Sequence, residues 1–148
     1  MSGGLVARHV EASDFAAWQE LWQGYLSFYE VTLPEGMTEL TWHRLLDPQF
    51  DMHGLIAIDG AGRAVGICTY LFHPSTWSPQ PYCYLEDLFV AEAARGKGAG
   101  RAMIELVYAA ADARGSVETY WMTHETNADA RKLYDRVARH TGFLRYVR

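Results

Sequence analysis

The chain has 148 residues, enough for one packed core, and its 49% hydrophobic, 14% aromatic and 21% charged residues are those of an ordinary globular domain. No apolar run approaches the roughly 20 residues of a membrane span, and the start lacks the basic and apolar regions of a secretory signal, so a single cytoplasmic domain over residues 1–148, with no membrane partner, is expected. The net charge of −5 argues against nucleic acid as a partner, and it is unevenly spread: residues 1–89 hold three Lys/Arg against eleven Asp/Glu, while residues 90–148 hold ten against seven.

Residues 5–10 have room for one strand. Ser13 and Asp14 offer N-cap oxygens, and Phe15, Trp18, Leu21, Trp22, Tyr25 and Leu26 recur at the spacing of an amphipathic helix with an aromatic face. Pro34-Glu35-Gly36 breaks the chain, and Trp42, Leu45 and Leu46 predict a shorter helix ending near Asp47-Pro48. Residues 54–58 and 64–72 read as two strands joined by Asp59-Gly60-Ala61-Gly62-Arg63, an antiparallel hairpin. Three prolines predict a loop over 73–81, with Trp77 as a plug or pocket wall.

Residues 82–90 predict a further strand. From 101 to 114, Met103, Ile104, Val107, Tyr108 and Ala111 mark one face of a helix, with Gly115 at its C-terminal boundary. A strand-like run follows at 119–122. Asn127 then caps a last helix with Ala130, Leu133, Tyr134, Val137 and Ala138 facing inward, and residues 143–148 are expected to close the chain as a strand. Cys68 and Cys83 lie in apolar strands and read as reduced core thiols. Neither they nor the six histidines show metal-ligand spacing, so no metal is expected.

The chemistry concentrates in Tyr84–Arg101. An apolar strand runs into Arg95-Gly96-Lys97-Gly98-Ala99-Gly100 and then into a helix, and the glycines leave backbone N–H groups free to converge on an anion at the helix's positive end. The glycines do not follow the dinucleotide pattern Gly-x-Gly-x-x-Gly, and Arg101 stands where a Walker loop would end in Lys-Ser or Lys-Thr, so both nucleotide readings fall.

That hexapeptide, the strand Leu85-Glu86-Asp87-Leu88-Phe89-Val90, the run Asn127–Tyr134 and Gly142-Phe143 together resemble the GNAT superfamily of acyl-CoA N-acyltransferases. Tyr70 through Trp77 and Tyr84 through Val90 resemble the branch of diamine acetyltransferases and small yeast histone/polyamine acetyltransferases. The resemblance implies an α/β fold: a mixed, mostly antiparallel sheet of about six to seven strands flanked by about four helices, splayed between the strand at 82–90 and a strand near 118–124. It implies acetyl-CoA as co-substrate, a small cationic amine such as a polyamine or a lysine-like compound as acceptor, and a homodimer.

Residue by residue, the backbone of Leu88, Phe89 and Val90 matches the strand that binds the pantetheine arm. Arg95, Gly96, Lys97, Gly98, Ala99, Gly100 and Arg101 match the pyrophosphate loop. Asn127 matches a cofactor contact and Tyr134 the tyrosine beside the thioester sulfur.

An alkylammonium with a pKa of about 10 must lose a proton before it attacks a thioester, so a base is needed. Glu86 is the first choice, with Tyr134 as the acid that protonates the departing thiolate. Glu86, Asp87, Tyr84 and Trp77 are the candidate substrate contacts. Period-two alternation predicts Tyr82, Tyr84, Glu86 and Leu88 on one face and Cys83, Leu85, Asp87 and Phe89 on the other, which separates the two carboxylates. A catalytically silent CoA-binding sensor and a protein lysine acetyltransferase are the competing readings.

Overall fold

A computed structural model describes residues 4–148. Its elements are β1 (Val6–His9), α1 (Phe15–Phe28), α2 (Met37–Leu46), β2 (Met52–Ile58), β3 (Ala64–Ser75), β4 (Ser78–Val90), α3 (Ala99–Ala113), β5 (Thr119–Tyr120) and α4 (Ala128–Val137), with short 3-10 turns at Ala12–Asp14 and Glu92–Ala94. The strands lie side by side in the order β1-β2-β3-β4-β5. All neighbours are antiparallel except β4 and β5, which run parallel. The architecture is the expected mixed α/β sheet, with five strands among the described residues rather than six to seven.

The strand expected at 143–148 does not form. Phe143, Leu144, Tyr146 and Val147 are all exposed. The reason lies in β5, which at two residues is too short to carry a ladder on its outer side. No helix among the described residues is long and apolar enough to cross a membrane.

The two faces of the sheet carry separate cores. On one, Trp18 and Trp22 of α1 and Trp42 of α2 stack at 5.0–5.2 Å over Ile56 and Ile67. On the other, Met103, Ile104 and Val107 of α3 cover Leu55, Cys68, Cys83 and Leu85, and both cysteines are buried free thiols. Gly24 lets α1 settle onto the sheet, because a Cβ there would meet the Phe89 ring at 3.2 Å. Asp14 does not cap α1 with its side chain. Its carboxylate instead accepts from Arg8 at 2.7 and 3.0 Å and from the Glu11 N–H at 2.7 Å, tying β1 to the start of the helix.

Two expectations about the middle of the chain need correction. Residues 73–81 are the arm of a hairpin rather than a loop: Ser75 pairs with Ser78 and His73 with Tyr82. Pro79 and Pro81 are accommodated because β5 reaches β4 only at Cys83 and Tyr84, so no ladder bond is lost beside them. The alternation along β4 is also broken. Tyr70 pairs with Leu85 and Thr69 with Asp87, which leaves Glu86 as an extra, unmatched residue in a β-bulge. Leu85 and Leu88 therefore face the same α3-side core although three positions apart, while Asp87 and Phe89 face α1.

Candidate active site

The sheet opens where the sequence motifs converge. β4 and β5 pair only at Cys83–Thr119 and Tyr84–Tyr120. Beyond Tyr120 the chain leaves the sheet, and Trp121 packs 5.4 Å from the ring of Tyr134 and 6.3 Å from that of Tyr108. The edge of β4 from Leu85 to Val90 that faces away from β3 therefore has no strand partner among the described residues. An unpaired strand edge presents backbone donors and acceptors to whatever lies in the cleft. Leu88 and Val90 turn their side chains toward the α3 core and Phe89 turns toward Tyr25, which leaves the main chain to serve the opening.

The glycine turn lies at the end of that edge. Gly96 has φ +78° and Gly98 φ +91°, conformations that glycine adopts without cost, and neither has an atom within 4 Å of where a Cβ would stand. Gly98 is the N-cap of α3, and the first helical bond runs from the Ala102 N–H to the Gly98 carbonyl at 3.0 Å, so the amides of Ala99, Gly100 and Arg101 stay free for an anion. Gly100 has a second duty, since a Cβ would come within 3.2 Å of Leu133 on α4.

The three cations differ. Arg95 donates to the Val90 carbonyl at 3.1 Å and lies over Phe28, Arg101 pairs with Glu105 on the helix surface, and Lys97 is exposed. A loop with free amides, room above two glycines and surrounding cations suits a diphosphate.

Beside the other face of β4 lies a cavity of about 480 Å³ lined by Trp22, Tyr25, Leu26, Tyr29, Val31, Leu33, Met37, Thr41, Arg44, Met52, Thr69, Glu86 and Asp87. Adjacent residues on a regular strand point to opposite faces, and the bulge is what brings both carboxylates to one cavity. Asp87 is half-buried against α1 and accepts a hydrogen bond from the Tyr25 hydroxyl at 2.7 Å. Burial pushes its carboxyl up to about 6, and the neighbouring Glu86 charge adds to the rise, while hydrogen bonds from Tyr25 and Thr69 restrain it. Glu86 is exposed to solvent at the mouth.

Tyr134, on α4, is half-buried, and burial together with Tyr29 and Cys68 pushes its hydroxyl up to about 12, so it remains a proton donor throughout the physiological range. Tyr29, the C-cap residue of α1, lines the cavity at Asp87, whereas Tyr134 does not and packs against Trp121 instead. Tyr84 stacks on Tyr120 at 5.0 Å at the last β4–β5 pair. Asn127 stands at the N-cap position of α4 without a side-chain cap bond and donates instead to Thr123 at 3.3 Å. Trp77 is 88% exposed at the tip of the β3–β4 hairpin. It lines neither the cavity at Asp87 nor a second one of about 350 Å³ beside Arg114 at the hairpin's base.

The family model described as the acetyltransferase (GNAT) family matches residues 18–138. The chain belongs to this family. It is also similar to the D-amino-acid N-acetyltransferase HPA3 of Saccharomyces cerevisiae, with 37% identity over 145 residues covering 97% of this chain and 90% of that one. Together these matches make it an N-acetyltransferase.

Solved GNAT structures share the fold. The aminoglycoside acetyltransferase AAC(6')-Iy, solved with a CoA-containing bisubstrate analogue, superposes with a TM-score of 0.83 at 18% identity, covering 97% of both chains. The ribosomal-protein-alanine N-acetyltransferase of Brucella melitensis biovar Abortus 2308 gives 0.78 at 20% identity, covering 97% of this chain and 98% of that one.

Sequence reasoning located the acidic pair but not the groups that shape it. Tyr25, Thr69 and Arg44 lie far from Asp87 in sequence and reach its cavity only through the strand register and the packing of α1 and α2. The one available signal was composition, an acidic and aromatic N-terminal half.

Proposed function

We propose that this GNAT enzyme moves an acetyl group directly from acetyl-CoA to the primary amine of a small molecule, and that amino acids are its acceptors. The observation that carries the reading is the meeting of Asp87 and Glu86 in one cavity alongside the open edge of β4. Amino acids come first among acceptors because the 37% identical relative is a D-amino-acid N-acetyltransferase. The polyamine or lysine-like acceptor suggested by the sequence motifs is the second class to compare.

Acetyl-CoA, when bound, supplies an activated acetyl thioester. The free amides at the start of α3, with Lys97, Arg101 and the outer nitrogens of Arg95, hold its diphosphate. The main chain of Leu88–Val90 holds the pantetheine arm and donates to the thioester oxygen as negative charge gathers there.

The acidic pair draws the acceptor's ammonium into the cavity. A base works best with a pKa near the operating pH, so the carboxyl at about 6 supports Asp87 as the group that takes the ammonium proton, with Glu86 at the mouth passing it to water. The freed nitrogen attacks the carbonyl carbon and gives its second proton to water as the carbon–sulfur bond breaks, while Tyr134 gives its proton to the departing sulfur before recovering one from solvent.

The test is thiol release from acetyl-CoA against a panel of amino acids of both configurations, polyamines and lysine peptides. Thiol appearing only with amine, and most readily with amino acids, is the expected result. CoA binding without amine-dependent thiol release across the panel would leave a silent CoA-binding module instead.

A further inference from the structure

The cavity at Asp87 carries opposite charges. Of the three cations in residues 1–89, Arg8 is committed to Asp14 and Arg63 belongs to the β2–β3 turn, which leaves Arg44 as the one that lines this cavity. Arg44 sits in the last turn of α2, half-buried, with its guanidinium 4.9 Å from the centre of the Phe50 ring. It takes no part in the ion pairs among the described residues, whereas Arg8, Arg101 and Arg114 each have a carboxylate. Stacking on an aromatic ring fixes the plane of a guanidinium and leaves its N–H edge free, so the donors are held in place ahead of any ligand.

We infer that Arg44 anchors the carboxylate of the acceptor, so that the cavity binds a zwitterionic amino acid across its width. The inference rests on the transferase reading above and names the residue that sets its specificity. Asp87 lies on β4 and α2 packs against β2, two strands away, a lateral separation of roughly 10 Å. The cavity thus offers carboxylates from β4 and a guanidinium from α2, the complement of the two charges that a zwitterion carries.

Trp22, Leu26, Val31, Leu33 and Met52 give the wall an apolar stretch that suits a hydrophobic side chain. A polyamine fits this arrangement poorly, because its second ammonium would be driven toward the guanidinium.

The experiment compares phenylalanine of each configuration with phenylalaninamide and phenethylamine in steady-state acetyl transfer, for the wild type, Arg44→Gln and Arg44→Lys. Calorimetry of phenylalanine binding to the CoA-loaded protein supplies a readout independent of turnover. The wild type should favour phenylalanine over phenethylamine at least 10-fold in kcat/KM. Arg44→Gln should raise KM and Kd for phenylalanine by about 10- to 100-fold, the effect of losing a charge-assisted hydrogen bond. It should leave phenethylamine within twofold, and Arg44→Lys should recover part of the loss.

Equal use of the two substrates by the wild type overturns the inference even if no variant folds, and so does an unchanged preference in Arg44→Gln with normal CoA affinity. Absence of thiol release with every amine refutes the transferase reading instead, and the calorimetric comparison then decides the role of Arg44 alone.

Discussion

Replacing Asp87 with Asn separates what the residue does for catalysis from what it costs the fold. The carboxyl is held at about 6 against an ordinary 3.8, roughly two pKa units, or about 3 kcal/mol at 1.36 kcal/mol per unit. The folded protein keeps this proton up to pH 6, whereas the unfolded chain releases it near pH 4. Unfolding therefore releases a proton between those values, and stability falls as pH rises through the window, then stays level with respect to this group.

Asn fills the same space and still accepts the Tyr25 hydrogen bond, but it has no charge to desolvate. Asp87→Asn should be more stable than the wild type by up to about 3 kcal/mol at pH 8, with the advantage shrinking toward zero at pH 4, while acetyl transfer drops by about 10²-fold or more. Denaturant melts at several pH values, paired with turnover assays, measure both effects. A variant that is less stable at pH 8, or a stability difference that does not change with pH, would refute the reasoning about the buried carboxylate.

The remaining predictions concern the surrounding residues. Glu86→Gln should slow turnover less than Asp87→Asn and keep the rise of kcat/KM with pH, moved to lower pH because the Glu86 charge no longer raises the Asp87 carboxyl; loss of that rise in Glu86→Gln alone returns the base role to Glu86. Tyr134→Phe should lower kcat by about 10²-fold with CoA affinity within twofold by calorimetry, and wild-type turnover would remove Tyr134 from the mechanism. Gly98→Ala meets open space but a φ of +91°, so it should destabilise the protein by about 1 kcal/mol in melts and weaken CoA binding by misplacing the α3 amides.

The legibility of the fold in the sequence followed the range of the interactions. Helix faces were readable because Trp18, Leu21, Trp22 and Met103, Ile104, Val107 are spaced by local geometry. The glycine turn was readable because Gly96 and Gly98 need positive φ whatever surrounds them. Hidden from view were features set by a partner strand. The bulge at Glu86 exists only in the pairing with Thr69 and Tyr70, so simple alternation assigned the acidic pair to opposite faces. The prolines of 79 and 81 suggested a loop because nothing in the sequence showed that β5 would leave that edge of β4 uncovered. Arg44 carries no signal in the sequence, because only the packing of α2 over β2 brings it to the cavity.

The bulge also makes the acidic pair separable from the fold. Deleting Glu86 would restore an unbroken ladder in which Leu85 still meets the α3 core and Asp87 still faces α1, with Phe89 and Leu88 on their present sides. The sheet's packing is indifferent to that codon. A single in-frame insertion or deletion at this point therefore distinguishes a strand with one inward carboxylate from a strand that presents two, and the second carboxylate stands on a residue that the hydrophobic cores do not count.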